Sequence, residues 1–254
     1  MPLPQTPSFR LDGRRALVAG ASSGIGRAAA VALAQAGARV TLLARQADNL
    51  VLLQSEMRAE GLEADYLALD ICDTAKMEST LAAQAPYEIL VNSAGLARHS
   101  PALQTIESDY DAVTNVNVKA AYFLTRAVAK SLFGAQRSGS LINVSSQMGL
   151  VGGIDRAVYC ATKHALEGMT KAMAVEWGPH KIRVNTLCPT FTRTPLAEQT
   201  LSIPARRKWI EDQIKLGRIA EVEDLMGAVV FLASDAAAMM TGTSLLIDGG
   251  WTAS

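Results

Sequence analysis

Short apolar runs alternate along the chain with stretches whose apolar residues recur at helical spacing. Seven runs have the length and composition of strands, at residues 14–19, 40–44, 64–69, 88–91, 139–144, 182–187 and 244–247. Strands that alternate with helices predict an α/β fold, a doubly wound parallel sheet with helices on both faces and a ligand crevice at the carboxyl ends of the strands. No repeat or break in composition competes with this interpretation, so we expect a single domain over residues 1–254.

A glycine-rich turn follows the first predicted strand and precedes the first predicted helix. It reads Gly20-Ala-Ser-Ser-Gly24-Ile-Gly26. Backbone N–H groups at the start of a helix can approach a pyrophosphate closely only where side chains do not block them. Ordinary turn glycines are the alternative, but the strand–turn–helix order favours dinucleotide binding.

The end of the second predicted strand bears on cofactor choice. An acidic residue there suits the adenosine ribose 2′-hydroxyl, whereas a basic residue suits a 2′-phosphate. The chain has Arg45 at this point and no carboxylate until Asp48. Arg45, with the hydroxyl of Ser22, therefore favours NADP(H), and NAD(H) stays possible because Arg45 can instead be an exposed residue opening the next helix.

Tyr159 and Lys163 are four residues apart in a predicted helix and therefore share one of its faces. A phenol titrates near pKa ~10 in water, and a positive charge within about 4–6 Å favours the phenolate and lowers that pKa. A tyrosine tuned in this way can exchange a proton with an alcohol or carbonyl oxygen. Taken alone, the pair can equally be two surface residues on a helix.

Asn117 lies inside a predicted long helix, residues 109–133. Asparagine is a poor residue in the middle of a helix because its side chain competes for backbone hydrogen bonds. Asn117 is therefore either a helix-bending polar group with a function or a solvated surface residue.

Composition excludes several functional classes. Lys plus Arg equals Asp plus Glu at 24 each, so the net charge is zero, and no basic surface for nucleic acid is expected. No apolar run approaches the roughly 20 residues of a membrane span, and the first residues lack the apolar core of a signal peptide. Cys72, Cys160 and Cys188 are few and widely spaced, which predicts buried thiols in a cytoplasmic protein without a disulfide framework or a metal site.

Seven motifs occur in a fixed order along the chain. They are Gly20-x₃-Gly24-x-Gly26, Asn92-Ser-Ala-Gly95, Val-Asn117-Val, Ser146 thirteen residues before Tyr159, Tyr159-x₃-Lys163, Ile182-Arg-Val-Asn185-x₃-Pro189 and Asp248-Gly-Gly250. Together they make the chain resemble the short-chain dehydrogenase/reductase family, in its form of about 250 residues. The resemblance extends from Leu11 to Trp251, and it implies a Rossmann fold and an NAD(P)-dependent alcohol dehydrogenase or carbonyl reductase.

The resemblance assigns roles residue by residue. Tyr159 is the expected general acid/base, Lys163 lowers its pKa and binds the nicotinamide ribose, Ser146 polarises the substrate oxygen, and Asn117 holds a water in the proton relay. The expected cofactor contacts are Gly20, Ser22, Ser23, Gly24, Ile25, Gly26, Arg45, Asp70, Ile71, Asn92, Ala94, Gly95, Tyr159, Lys163, Pro189, Thr190, Thr192 and Thr194.

Three positions depart from the family pattern. Ala19 replaces the usual Thr before the first glycine, and Ser93 stands where a second Asn is commoner. Thr190 replaces the Gly usual after Pro189, so a hydroxyl is available there to face the substrate. None of these departures removes a catalytic group.

Polar residues around the expected catalytic group suggest the substrate class. The expected substrate contacts are Ser146, Gln147, Arg98, Arg156 and Thr190, with residues 190–218 as a lid. Unpaired polar groups are costly in a closed site, so these residues suit a sugar, a polyol or a sugar acid. The basic residues alternatively suit the phosphopantetheine arm of an acyl carrier, and hence a 3-oxoacyl-thioester reductase. His99 is interpreted as a polar loop residue.

Two further expectations concern assembly and the alternative to catalysis. Ala161, Ala165 and Gly168 give the Tyr159 helix a small-residue face suited to close packing, and relatives usually form homotetramers through such helices. A nucleotide-sensing protein without turnover is the alternative from another class, and the complete set of Asn117, Ser146, Tyr159 and Lys163 argues against it.

Overall fold

One parallel sheet of seven strands organises the computed structural model, which describes residues 3–253. The strands are β1 (Arg15–Ala19), β2 (Arg39–Ala44), β3 (Ala64–Ala68), β4 (Ile89–Asn92), β5 (Gly139–Val144), β6 (Ile182–Pro189) and β7 (Ser244–Ile247). Their order in the sheet is β3-β2-β1-β4-β5-β6-β7, and each neighbouring pair is parallel. The predicted doubly wound α/β fold is confirmed.

The strand order reverses at β1. The chain adds β2 and β3 on one side of β1 and then returns to place β4 on the other side. In register, Ala19 at the end of β1 lies between Leu43 of β2 and Asn92 of β4. The connections that leave β1 and β4 therefore diverge, which opens the crevice where ligands bind in open α/β sheets.

Nine α-helices connect the described strands. They are α1 (Gly24–Gln35), α2 (Ala47–Ala59), α3 (Thr74–Ala82), α4 (Glu107–Thr114), α5 (Ala121–Gly134), α6 (Ala157–Trp177), α7 (Pro195–Leu201), α8 (Pro204–Gln213) and α9 (Glu223–Ala233). Asp73 directly precedes α3, and its side chain accepts a hydrogen bond from the backbone N–H of Lys76. Asp73 is thus the capping residue of α3.

Alternating strand residues supply two cores, one on each face of the sheet. Val18 packs in the cluster that includes α1, α2 and α9, whereas Leu17 packs in the cluster that includes α3 and α5. Both side chains are fully buried. Truncating a buried leucine of this kind to alanine typically costs about 2–5 kcal/mol, so these two layers fix the strand ends that carry the site.

The helix predicted at residues 109–133 is present, but it is longer than predicted and a π-helical turn interrupts it. It extends from Glu107 to Gly134, and the six residues Asn115–Ala120 between α4 and α5 form a π-helical turn. Such turns widen a helix locally and often mark functional sites. Asn117 lies in this turn and is 2% exposed, so it is not a solvated surface residue.

Residues 190–218 contain α7 and α8, which lie beyond the end of β6. Leu201, Ile210, Ile214 and Ile219 form a small apolar cluster of their own, against which Phe191 and Trp251 pack. In the described part of the chain no helix combines the length and apolarity needed to cross a bilayer.

Candidate active site

A cavity of about 450 Å³ opens at the carboxyl ends of the strands. Residues after β1, β2, β3, β4, β5 and β6 line it, and α6 and α7 close one side. A volume of this size lies within the usual range of about 300–1,000 Å³ for small-molecule sites. Most of the predicted site residues meet in this cavity, which places the site at the switch point of the sheet.

The glycines after β1 have different tasks. Gly20 has φ +76°, and a Cβ there would lie 2.7 Å from the backbone N of Ala94. Gly24 has φ +52° and faces Thr194 across the cavity, with 3.1 Å between an added Cβ and Thr194 Cγ2. Gly26 does not line the cavity. An added Cβ at Gly26 would overlap the carbonyl oxygen of Gly20, so the glycine lets α1 pack on the turn.

One end of the cavity presents the residues expected to hold a nucleotide. Ser22, Ser23, Ile25 and Arg45 line this end. Within residues 3–253, Arg45 takes part in none of the ion pairs, so its guanidinium is available to an anion. Asp70 and Ile71 lie in the same wall, where Asp70 Oδ1 accepts a hydrogen bond from the N–H of Cys72.

Asn92 shapes the cavity without lining it. Its Oδ1 accepts a hydrogen bond from the N–H of Ala94, and its Nδ2 donates to Asn143 Oδ1 at 3.2 Å. The side chain is buried and its two polar atoms have partners within the protein. Ala94 and Gly95 line the cavity, and the Asn92 side chain holds the loop that carries them.

Ser146, Tyr159 and Lys163 meet at the other end of the cavity. Ser146 directly follows the residue after β5, and Tyr159 and Lys163 lie in the first two turns of α6. Lys163 Nζ donates to the carbonyl oxygen of Val144 at 2.9 Å and lies over the ring of Tyr159, 5.5 Å from its centroid. The three groups expected to act on a substrate oxygen are thus together.

The acid–base balance of this trio differs from the expectation. Burial raises the pKa of the Tyr159 phenol, and the neighbouring Ser146 hydroxyl and Arg156 guanidinium offset only part of this rise. Burial also lowers the pKa of Lys163 to about 8. The stabilising amine is therefore itself close to losing its proton.

Asn117 is fully bonded inside the protein. Its Oδ1 accepts a hydrogen bond from the N–H of Leu96 at 2.8 Å, and its Nδ2 donates to the Leu96 carbonyl and to Thr162 Oγ1. Asn117 does not line the cavity. These bonds tie the loop after β4 to α6 close to Tyr159.

Three residues that line the cavity, Ser145, Gln147 and Thr190, have buried polar side-chain atoms without partners within residues 3–253. Gln147 is 1% exposed, and neither its Oε1 nor its Nε2 has a hydrogen-bond partner within residues 3–253. Thr190 Oγ1 is also buried and unpartnered there. Leaving such atoms unpaired costs about 1–3 kcal/mol each, so a ligand that bonds to them gains that amount.

The basic residues of the site are only partly those predicted. Arg156 lines the cavity, donates to Thr200 Oγ1 at 3.1 Å and bonds to the ring of His99. Arg98 does not line it, because its guanidinium pairs with Asp109 at 2.6 Å on the surface. Arg98 is therefore removed from the predicted substrate contacts. His99, the next residue, takes the inward position.

His99, which the sequence placed near the catalytic residues as a polar loop residue, lines the cavity. Its ring stands edge-on to that of Tyr159, with centroids 5.8 Å apart. Burial, together with the charges of Arg156 and Arg206, lowers the pKa of His99 to about 4, so the ring is neutral and can accept from Arg156. Adjacent Arg98 and His99 carried no signal to show which of the two faces inward.

Comparison with known proteins agrees with this geometry. A family model described as "Enoyl-(Acyl carrier protein) reductase" matches residues 20–252. The chain is 43% identical to D-erythrulose reductase of Gallus gallus over 98% of this chain and 99% of that protein. It is 42% identical to L-xylulose reductase of Bos taurus over 96% and 99% of the two chains.

A solved structure supports the same conclusion. The gluconate 5-dehydrogenase of Burkholderia cenocepacia J2315, in complex with NADP and tartrate, superposes with a TM-score of 0.93 at 33% identity, covering 97% of this chain and 98% of the other. The fold and the site define an NAD(P)-dependent oxidoreductase. The chain belongs to the short-chain dehydrogenase/reductase family.

Proposed function

We propose that this protein transfers a hydride between NADP(H) and the carbonyl or alcohol carbon of a sugar, polyol or sugar acid. One observation carries the substrate class: Gln147 and Thr190, whose side-chain polar atoms are buried without partners in the described residues, are among the residues that line the cavity with Tyr159 and Ser146. Relatives with matching folds are named for erythrulose, xylulose and gluconate, which are all polyhydroxylated.

The nucleotide end fits the cofactor on its own geometry. A Cβ at Gly20 would fill the space beside Ala94, and the unpaired guanidinium of Arg45 suits a 2′-phosphate. When bound, a nicotinamide supplies or accepts the hydride. We assign the cofactor contacts part by part. Asp70 and Ile71 contact the adenine, and the ribose lies against Ala94, Gly95, Tyr159 and Lys163. The nicotinamide lies against Pro189, Thr190, Thr192 and Thr194, and the cradle for the phosphates consists of Gly20, Ser22, Ser23, Gly24, Ile25 and Arg45.

The catalytic assignment follows from the contacts. Tyr159 exchanges a proton with the substrate oxygen, and the Ser146 hydroxyl donates a hydrogen bond to the same oxygen. Lys163 keeps a positive charge next to the phenol, where it favours the phenolate over the phenol. Asn117 holds the loop after β4 against α6 and so fixes the position of the Tyr159 side chain.

The specificity assignment rests on Gln147, Thr190 and Arg156. A glutamine amide offers both a donor and an acceptor, and thus matches a hydroxyl group, which has the same two capacities. Arg156 adds a charged donor that suits a hydroxyl or the carboxylate of a sugar acid. A site with these three groups rejects a substrate that lacks hydroxyls because its own polar atoms then stay unpaired.

The remaining assignments concern organisation. We propose one domain in which residues 190–218 act as the substrate lid, supported by the separate apolar cluster around Leu201 and Ile210. We also propose a cytoplasmic homotetramer that uses the small-residue face of α6, supported by the free thiols of Cys72, Cys160 and Cys188 and by the 79% exposure of Val175 on that helix. A monomer in light scattering at micromolar concentration contradicts the tetramer.

The acyl-thioester alternative is supported by the description of the matching family model and by the basic residues near the lid. Arg206 pairs with Asp155 at 3.3 Å, whereas Arg207 and Lys208 pair with acidic residues on their own helix, and this leaves few free cations for a phosphopantetheine arm. The polyhydroxylated class is therefore the better-supported one.

A substrate panel tests the proposal. NADPH oxidation is followed at 340 nm with D-erythrulose, L-xylulose, 5-ketogluconate and an acetoacetyl thioester, and repeated with NADH. We expect turnover of at least one hydroxylated ketone and a higher kcat/KM with NADPH. Turnover confined to the thioester contradicts the substrate class, and a clear preference for NADH contradicts the assignment of Arg45.

A further inference from the structure

Lys163 carries a buried charge that needs compensation. The side chain is 5% exposed. Within residues 3–253, its single hydrogen bond is the one that Nζ donates to the carbonyl oxygen of Val144. A buried ammonium without a nearby opposite charge loses its proton readily, because desolvation disfavours the charged form. An amine that supports catalysis as a cation therefore requires a carboxylate within its surroundings.

Glu167 lies one helical turn after Lys163 on α6, and the hydride-transfer assignments gave it no role. Four-residue spacing puts the two side chains on the same helix face. Glu167 is also 5% exposed. In the part of the chain that the structure describes, Glu167 is absent from every ion pair closer than 4.0 Å.

Three neutral donors hold the Glu167 carboxylate instead of a cation. Thr186 Oγ1 donates to Oε2 at 2.8 Å, Ser244 Oγ donates to the same oxygen at 2.5 Å, and Cys188 Sγ approaches Oε1 at 3.4 Å. These donors satisfy the carboxylate oxygens of Glu167 without supplying a positive charge. Within the described residues, Glu167 therefore has no cation in direct contact that would compete with Lys163.

The other ionisable groups around Lys163 do not supply this charge. Burial lowers the pKa of Lys163, and the opposing groups are Cys188 on β6 and Glu167 on α6. Burial and the Glu167 carboxylate raise the pKa of the Cys188 thiol to about 12, so the thiol is neutral at working pH. Tyr159, the remaining ionisable neighbour, is a neutral phenol whose own pKa is raised. The turn at residues 147–149, β5 and the π-helical turn add no ionisable group that acts on Lys163.

We propose that Glu167 is the buried counter-charge that keeps Lys163 in its ammonium form, and hence a positioning residue for proton exchange at Tyr159. The inference rests on the proposed role of Lys163 in hydride transfer. It adds a residue that touches neither substrate nor cofactor and acts through the lysine. The proposal predicts that Glu167 raises the pH at which Lys163 loses its proton.

The test measures Lys163 directly, without turnover. Protein labelled with ¹³C at lysine Cε is titrated by NMR, and Lys163→Arg identifies the signal. We expect a wild-type midpoint near 8, because burial lowers the pKa of Lys163 to about 8 in the presence of Glu167. We expect Glu167→Gln, which removes the charge and keeps the volume, to lower this midpoint by about one pH unit.

Two matched variants separate charge from packing. Glu167→Asp retains the carboxylate, and Ser244→Ala removes one donor while the carboxylate remains. We expect both to keep the midpoint within a few tenths of a unit of the wild type. The alkaline limb of kcat for ketose reduction by NADPH should move with the midpoint in Glu167→Gln and stay in place in the other two.

Several outcomes overturn the proposal. An unchanged Lys163 midpoint in Glu167→Gln does so, and so does an equal fall in Ser244→Ala, which assigns the effect to packing. A wild-type Lys163 midpoint below about 7 also overturns the proposal, because no counter-charge then keeps the ammonium protonated. This measurement needs no folded variant. Absence of turnover with every ketone refutes the proposed function alone, since the NMR titration still reports on Glu167.

Discussion

The two ends of the cavity are built in different ways. At the nucleotide end, the backbone shapes the cavity, because Gly20 and Gly24 have positive φ and leave room that a Cβ would fill. At the substrate end, side chains do the work, with Gln147 and Thr190 buried and unpaired and Arg156 bonded to His99 and Thr200. One end accepts a cofactor shared by many enzymes, and the other can change its substrate by single substitutions.

Tyr159→Phe gives the largest expected effect and defines the substrate end chemically. Removing the phenolic oxygen eliminates proton exchange with the substrate, so we expect kcat to fall by at least about 10³-fold, or about 4 kcal/mol. NADPH affinity, measured by fluorescence titration, should change less than about threefold. Tyr122→Phe, at an exposed tyrosine of α5, is the control, and equal losses in both variants contradict the assignment.

Gly20→Ala tests the backbone-built end. The new Cβ has to adopt φ +76° and lies 2.7 Å from Ala94 N, so the turn must move. We expect NADPH affinity to fall by about 10–100-fold and the free energy of unfolding to fall by about 2 kcal/mol. Gly61→Ala is the matched control, with φ +74° and no atom within 4 Å of the added Cβ. Equal effects on NADPH binding would assign the result to backbone strain alone.

Gln147→Leu separates binding from stability at the substrate end. Because both amide atoms are buried without partners, we expect the leucine to raise the free energy of unfolding by about 1 kcal/mol. For a polyhydroxylated ketone, KM should rise by about tenfold, while a ketone without further hydroxyls should be unaffected. Gln35→Leu, at an exposed position of α1, controls for surface hydrophobicity. A fall in stability contradicts the unpaired state of Gln147.

His99 gives the smallest expected effect, through pH. Its pKa in the folded protein, about 4, lies below the usual 6.5, so between these values the unfolded chain binds a proton that the folded chain does not. Stability therefore falls as pH decreases from about 6.5 toward 4, by about 1 kcal/mol once partial exposure of the ring is allowed for. Thermal denaturation of wild type and His99→Gln across this range should show a smaller decline in the variant.

The same contrast explains what the sequence could predict. The positions of the strands and the glycine turn follow from periodicity and backbone geometry, which the sequence records directly. The inward position of His99 depends on the pairing of Arg98 with Asp109, eleven residues away, and the partners of Asn117 come from Leu96 and Thr162. Pairings of this kind are set by tertiary packing, so spacing along the chain did not reveal them.

The pKa relations were also beyond the sequence. Four-residue spacing correctly brought Lys163 and Tyr159 together, but burial raises the pKa of the phenol and lowers that of the amine. Desolvation depends on how much protein surrounds a group, and a motif does not encode this quantity. The same applies to Glu167, whose neighbours come from β6 and β7.

The π-helical turn at Asn115–Ala120 makes the centre sensitive to chain length. A turn of this type accommodates one residue more than a regular helix does, so deleting a single amino acid here would restore ordinary winding. Asn117 would then rotate by roughly 100° around the helix axis and release both Leu96 and Thr162. A one-codon deletion in this turn would thus disconnect the loop after β4 from the helix that carries the tyrosine.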